Sequence, residues 1–91
     1  MNKKRDRLKV INDVLNIIKQ NKNSIKPTPL LRFSNLSSQS FSEYFKELKE
    51  TGLIKEISNN NSKKFITLTD KGFQYLEKYR VISGFIEEFE L

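Results

Sequence analysis

The acidic side chains near the carboxyl end are the densest group of residues that could do acid–base chemistry. Glu87, Glu88 and Glu90 lie within four positions of one another, and paired carboxylates can serve as a general acid and a general base. Nothing else in the sequence supplies a second base, a glycine-rich phosphate loop or a nucleophile to work with them. We therefore interpret these glutamates as solvated charges and expect no enzymatic activity.

The composition excludes several kinds of catalytic and metal site. The 91 residues include no cysteine and no histidine, so neither a Cys–His pair nor a Ser–His triad can form, and zinc lacks its usual ligands. A metal site would need carboxylate and carbonyl oxygens, which suit calcium or magnesium. We expect one domain with no metal and no cofactor.

Positive charge is concentrated in the first third of the chain. The net charge is +6. Residues 1–32 hold nine basic and two acidic residues, whereas residues 33–91 hold eight basic and nine acidic ones. This asymmetry favours a polyanionic partner that meets one face of the protein. Since no apolar run could span a membrane or form a signal peptide, we expect a cytoplasmic protein with no membrane partner.

Apolar spacing predicts three helices in the first fifty residues. In residues 5–20, apolar side chains recur at steps of three and four, which is typical of an amphipathic helix. A short helix is expected over residues 29–34, with Thr28 as its N-cap and Pro29 at its first position. A third helix is expected over residues 38–50.

The periodicity then changes to that of strands. Residues 53–57 and 64–68 are predicted strands, and the Asn/Ser-rich residues 58–63 between them form a hairpin loop. A last helix is predicted over residues 70–90, with Ser83-Gly84 as either a kink or the helix end. The predicted order is helix, helix, helix, strand, strand, helix, a mainly α fold with a small β-hairpin (α+β).

Two stretches of the chain resemble archaeal winged helix-turn-helix proteins. The first runs from Asn35-Leu36-Ser37 through Tyr44-Phe45 and Leu48 to Thr51-Gly52-Leu53-Ile54, and is similar to the recognition helix and its exit in that family. The second is Phe65-Ile66-Thr67-Leu68-Thr69-Asp70-Lys71-Gly72 with Leu76 and Tyr79, similar to the second wing strand and the start of the long C-terminal helix.

The resemblance, which covers about residues 5–80, implies a function and an assembly. The family includes small chromatin-associated proteins that bind DNA and dimerise through the last helix as an antiparallel coiled coil; the same motifs occur in MarR-type repressors. It implies double-stranded DNA as the partner, with residues 38–50 in a major groove and the wing 58–63 beside it. The sequence departs from the family at Pro27-Thr28-Pro29 and at Ser83-Gly84.

Polar residues early in the third helix are the candidates for contacts with DNA bases. They are Ser38, Gln39, Ser40, Ser42 and Lys46. Gln39 can pair bidentately with adenine, the serines can meet bases or phosphates, and Lys46 suits a phosphate. The alternative is that this helix start serves capping and solubility only. The helix carries no arginine, which predicts weak sequence preference or readout of DNA shape.

Other basic and amide side chains are candidates for contacts with the DNA backbone. In the wing these are Asn60, Asn61, Lys63 and Lys64, and on the short helix the candidate is Arg32. The wing lysines could instead be solvated residues that discourage edge pairing. The densest basic cluster is either an arm along the phosphates or a soluble, frayed terminus, and it consists of Lys3, Lys4, Arg5, Arg7 and Lys9.

Apolar residues of the last helix predict a partner. Five phenylalanines are expected to fill the core: Phe33, Phe41, Phe45, Phe65 and Phe73. A domain of this size has little core left for the last helix, so an exposed stripe is expected there. We predict a homodimer through Leu76, Tyr79, Ile82, Phe85, Ile86 and Phe89, with residues 1–69 as the DNA-binding part and residues 70–91 as the dimerisation element. The alternative is that the helix folds back on its own domain.

These features together predict a dimeric transcriptional regulator that binds double-stranded DNA. One alternative is a winged helix used only for protein–protein interaction, since a fold alone does not settle function. Another is a chromatin-type protein that coats DNA without sequence preference.

Overall fold

The computed structural model describes residues 6–91. It contains four helices and one two-stranded antiparallel sheet within that range: α1 (Arg7–Gln20), α2 (Pro27–Ser34), α3 (Ser38–Glu50), β1 (Ile54–Ser58), β2 (Lys64–Leu68) and α4 (Asp70–Glu88). The predicted order of elements and the mainly α fold with a small hairpin are confirmed.

Helix α1 forms one wall of the core. Asp6 is its N-cap, and the carboxylate accepts a hydrogen bond from the backbone N–H of Lys9 at 2.8 Å. Its buried stripe consists of Val10, Ile11, Val14, Leu15 and Ile18. Leu8 lies in the first turn, ahead of this stripe, and is 52% exposed. Burial of the stripe against the other elements stabilises the helix more than its intrinsic propensity does.

Helix α2 begins two residues earlier than predicted. Its N-cap is Lys26, which makes no side-chain capping bond, and Pro27 is its first residue. Thr28 therefore lies inside the helix, and the prediction that it is the N-cap was wrong. Proline is favoured at the first helical position, because it has no N–H there to satisfy and its φ is already helical. The helix ends at Ser34, and its C-cap Asn35 has a left-handed φ of 59°.

The hairpin receives a third, very short partner that the sequence did not indicate. β1 and β2 pair with Ile54 opposite Leu68 and Ser58 opposite Lys64. On the other side of β2, Ile25 forms an isolated antiparallel bridge with Ile66, with N···O distances of 2.7 and 3.2 Å. A single residue has no alternation pattern, so this bridge escapes periodicity analysis.

Helix α4 is continuous. Thr69 is its N-cap and accepts a hydrogen bond from the N–H of Gly72 at 3.1 Å. The helix passes through Ser83-Gly84 and ends at Glu88, so the prediction that this pair could end the helix was wrong. One helical glycine costs about 1 kcal/mol relative to alanine, which the neighbouring turns can outweigh.

The core is aliphatic, and fewer phenylalanines enter it than predicted. Phe41 is buried, while Phe45 and Phe65 are half-buried. Phe33 and Phe73 are exposed, which corrects the expectation for both. The buried space is filled by aliphatic side chains from α1, α2, α3, the hairpin and α4, so the remaining rings stay at its surface.

Candidate nucleic-acid interface

Helix α3 is anchored by one apolar face. Phe41 and Leu48 are buried, and the Phe41 ring stacks on that of Phe45 with centroids 5.5 Å apart. At the start of the helix, the Ser37 hydroxyl accepts a hydrogen bond from the N–H of Ser40 at 3.1 Å. This cap and the buried face fix the helix, which leaves its opposite face to solvent.

The exposed face of α3 carries most of the predicted base-contacting residues. Ser38, Gln39, Ser42 and Lys46 are exposed, whereas Ser40 is only half exposed and lies nearer the core than expected. Within residues 6–91, the four exposed side chains make no hydrogen bond or ion pair. Their donors and acceptors are therefore available to a ligand without breaking an internal contact.

Two of the four acidic side chains of α3 and β1 are paired with neighbouring cations. Arg7 of α1 forms an ion pair with Glu47. Lys49 forms an ion pair with Glu56 of β1 at 3.2 Å, and its ammonium lies 4.7 Å from the Phe45 ring centroid. These pairs tie α3 to α1 and β1. They also lower the repulsion that a polyanion would meet beside the exposed face.

The hairpin loop is shaped by the side chain of Asn59. Its Oδ1 accepts hydrogen bonds from the N–H of Asn61 at 2.9 Å and from the N–H of Lys63 at 3.0 Å. Ser62 has a positive φ of 63°. Sequence reasoning emphasised Asn60 and Asn61 and missed Asn59, although asparagine commonly bonds to the backbone two residues ahead.

The loop presents every wing residue predicted to contact DNA. Asn60, Asn61, Lys63 and Lys64 are all exposed. In the described part of the chain, neither lysine side chain has an ion-pair partner. The loop thus offers two unpaired ammonium groups at one end of the hairpin.

The remaining basic candidates divide into three groups. Arg32 is exposed on α2, with its guanidinium 5.5 Å from the Phe33 ring centroid. Arg7 and Lys9 are exposed, but each is already paired, Lys9 with Asp13 at 3.0 Å. Lys3, Lys4 and Arg5 lie outside the described residues. Lys26, which the sequence did not single out, lies over the ring of Phe65 at 6.0 Å.

The second half of α4 exposes an apolar stripe. Ile82, Phe85, Ile86 and Phe89 are all exposed, and the rings of Phe85 and Phe89 are 4.8 Å apart. Leu76 differs from the prediction, because it faces α1 and is buried in the core of its own domain. Tyr79 is half-buried and stacks on Tyr75.

An open groove runs between α1 and α4. Its lining mixes aromatic, amide and charged groups, among them Asn12, Lys19, Phe73 and Arg80. Among residues 6–91 there is no group of acidic side chains arranged to hold a metal ion. No described helix is long and apolar enough to cross a membrane.

Comparison with known families agrees with this architecture. A family model for winged helix-turn-helix proteins matches residues 4–87. The chain belongs to the winged helix-turn-helix family. In the winged-helix fold, α3 occupies the position of the recognition helix and the β1–β2 hairpin that of the wing.

Two solved structures share the winged-helix fold at low sequence identity. One is Sso10a-2, a DNA-binding protein from Sulfolobus solfataricus, with a TM-score of 0.76 and 15% identity over 94% of this chain and 86% of that one. The other is named as a transcriptional regulator, from Pseudomonas aeruginosa PA01, with a TM-score of 0.69 and 20% identity over 85% of this chain and 53% of that one. The predicted likeness to archaeal winged-helix proteins is confirmed at the level of fold. Among curated protein sequences, none matches this chain.

Proposed function

We propose that the protein binds double-stranded DNA, with α3 in a major groove and the wing against an adjacent groove or the backbone. The observation that carries this proposal is the free polar face of α3. Its exposed Ser38, Gln39, Ser42 and Lys46 use none of their hydrogen-bonding groups within the described chain. The fold, the basic net charge and the DNA-binding structural neighbour support the same conclusion.

Phosphate contacts supply most of the affinity in this proposal. Lys63 and Lys64 lie in or next to the wing without ion-pair partners, Lys46 lies on α3, and Arg32 lies on the helix that crosses the backbone in this fold. Each phosphate neutralised releases counterions, so binding weakens with salt by a slope of about 0.9 per contact in a plot of log K against log salt.

A pair of charge-matched double variants tests the wing. We expect Lys63→Ala/Lys64→Ala to weaken binding to random duplex, measured by fluorescence anisotropy, and to lower the salt slope by about 2. The control is Lys19→Ala/Arg80→Ala, which removes the same charge from the α1–α4 groove and should leave the slope unchanged. No binding at low salt by the folded protein would reject DNA as the partner and favour a protein-interaction module.

We further propose that the protein is a transcriptional regulator, with a modest preference for certain sequences. Gln39 and the serines of α3 can bond to base edges, whereas a coating protein needs only phosphate contacts. Selection from a random duplex library should enrich a motif, and Gln39→Ala should weaken that enrichment. A library that emerges unchanged from selection, despite tight binding, would support a chromatin-type coating protein instead.

The same proposal includes a homodimer through residues 70–91. Tyr75, Tyr79, Ile82, Ile86 and Phe89 follow one another at steps of four, three, four and three. This is the spacing of a coiled-coil seam. The last three of these residues are exposed, and covering them by a second copy would remove a contiguous apolar stripe from water.

Charge favours an antiparallel arrangement of the two helices. The last turn of α4 and the residues after it carry Glu87, Glu88 and Glu90, whereas Lys78 and Arg80 lie nearer its middle. Antiparallel packing places the acidic end of each helix beside the basic part of the other, but parallel packing brings the two acidic ends together.

Sedimentation of matched aspartate variants tests the dimer. Ile82→Asp inserts a charge in the seam and should shift the protein to a monomer. Val81→Asp is the control, because Val81 is 65% exposed and points away from the seam, and it should stay dimeric. A native protein that is monomeric at all concentrations would contradict the proposal.

A further inference from the structure

The apolar stripe of α4 continues onto the first turn of α1. The Tyr75 hydroxyl donates a hydrogen bond to the backbone carbonyl oxygen of Leu8 at 2.8 Å. Tyr75 also stacks on Tyr79 with ring centroids 6.1 Å apart and nearly parallel planes. Leu8, an aliphatic residue left half exposed, therefore lies next to Tyr75, at the beginning of the seam.

The carboxyl end of the chain combines exposed apolar residues with glutamates, and packing within α4 does not account for either. Phe89 and Leu91 are exposed and alternate with Glu88 and Glu90. The last turn of α4 holds no basic residue, although the negative end of a helix dipole is stabilised by cations and destabilised by carboxylates. This end therefore suits a surface that is apolar and positively charged.

The first turn of α1 has both of these properties. Leu8 and Tyr75 supply apolar area, and Arg7 and Lys9 flank Leu8 with two exposed cationic side chains against the one carboxylate of this turn, that of the N-cap Asp6. Their partners Glu47 and Asp13 are half-buried, but both cations are more than half exposed, so each can also meet a further carboxylate.

We propose that the carboxyl-terminal tail, residues 87–91, docks on the first turn of α1 of a second copy of this chain. Phe89 and Leu91 cover the partner's Leu8 and the partner's Tyr75, and the glutamates face the cations beside them. The inference rests on the antiparallel dimer proposed above. With the twofold axis near residue 83, residues 87–91 of one chain lie beside residues 75–79 of the other.

The tail cannot make this contact within its own chain. Residues 75 and 88 both lie in the continuous helix α4, and a rise of 1.5 Å per residue separates them by about 20 Å along the axis. The proposal also assigns a role to part of the basic cluster, since Arg7 and Lys9 then serve assembly rather than DNA binding.

Cross-linking between single-cysteine chains tests the docking, because the native chain has no cysteine. Leu8→Cys and Leu91→Cys replace exposed side chains, so both variants should fold. We expect a short bis-maleimide to yield covalent dimer when the two variants are mixed, and several-fold less with either variant alone. A mixture of Val81→Cys with Leu91→Cys is the control and should yield little.

Three outcomes would overturn the proposal. They are equal cross-linking in the control mixture, efficient cross-linking of Leu91→Cys alone, and a mixture that stays dimeric by sedimentation without cross-linking. DNA binding of the same samples is measured in parallel. If the tail contact is absent but DNA binding is retained, the docking proposal fails and the proposed function stands. Lys9→Ala provides a second readout, and it should weaken dimerisation without changing the salt slope of DNA binding.

Discussion

Two glycines of α4 give opposite predictions for the same substitution. At Gly72, an added Cβ would lie 2.3 Å from the backbone oxygen of Leu53 and 3.3 Å from a methyl carbon of Leu68. At Gly84, an added Cβ would meet no atom within 4 Å. Gly72→Ala should therefore destabilise the protein, whereas Gly84→Ala should stabilise it.

The magnitudes follow from a balance between crowding and helix propensity. Alanine is favoured over glycine in a helix by about 0.5–1 kcal/mol, which is the whole expected effect at Gly84. At Gly72 this gain is opposed by overpacking of about 1–3 kcal/mol. The Leu53 oxygen belongs to the backbone and cannot rotate away, so we expect a net loss of about 1–2 kcal/mol.

Thermal unfolding followed by circular dichroism measures both effects. All samples are compared at one protein concentration, because the proposed dimer would make the Tm depend on concentration. A domain of this size shifts in Tm by roughly 4–8 °C per kcal/mol. The Tm should fall for Gly72→Ala and rise for Gly84→Ala. Unchanged stability of Gly72→Ala would refute the close approach of α4 to Leu53, and a lower Tm for Gly84→Ala would refute a regular helix at that position.

Two further predictions concern Tyr75 and the wing. Burial, with smaller contributions from Tyr79 and Asp6, raises the pKa of Tyr75 to about 12. The neutral Tyr75 side chain therefore contributes to stability below the ordinary pKa of 10.0, and this contribution is lost as the pH rises towards 12. Denaturant unfolding at several pH values should show the loss. In the Tyr75→Phe variant, stability should fall less over the same pH range. Asn59→Ala removes the acceptor of two loop hydrogen bonds. It should therefore weaken DNA binding in anisotropy measurements. Asn60→Ala is the control, and NMR amide shifts should show that it leaves the loop shape largely intact.

The element order was predictable because the local sequence signals differ between helices and hairpin. α1 buries residues at steps of three and four, and the strands are short runs rich in β-branched isoleucine and threonine on either side of an Asn/Ser-rich loop. The start of α2 was placed too late, because a threonine before a proline is a common cap signal, whereas α2 begins at Pro27 without a side-chain cap. The bridge at Ile25 depends on the tertiary position of β2, which no local pattern reports.

The candidate site was predictable in position and less so in detail. Exposure of Gln39 and Lys63 follows from their places on an amphipathic helix and a hairpin tip. The pairing of Arg7 with Glu47 joins residues forty positions apart, so it required the fold. Leu76 has the helical spacing of the exposed stripe, and only the packing of α1 on α4 shows that it belongs to the core.

NMR chemical-shift mapping tests the central claim most directly, because it needs no substitution. Backbone amide signals of the native protein are followed while a duplex is added. We predict that the largest changes fall in residues 38–46 and 59–64, and that residues 12–19 of α1, which include none of the proposed DNA contacts, change little. Changes confined to residues 81–91, or none at all at low salt, would contradict binding of DNA through the recognition helix and the wing.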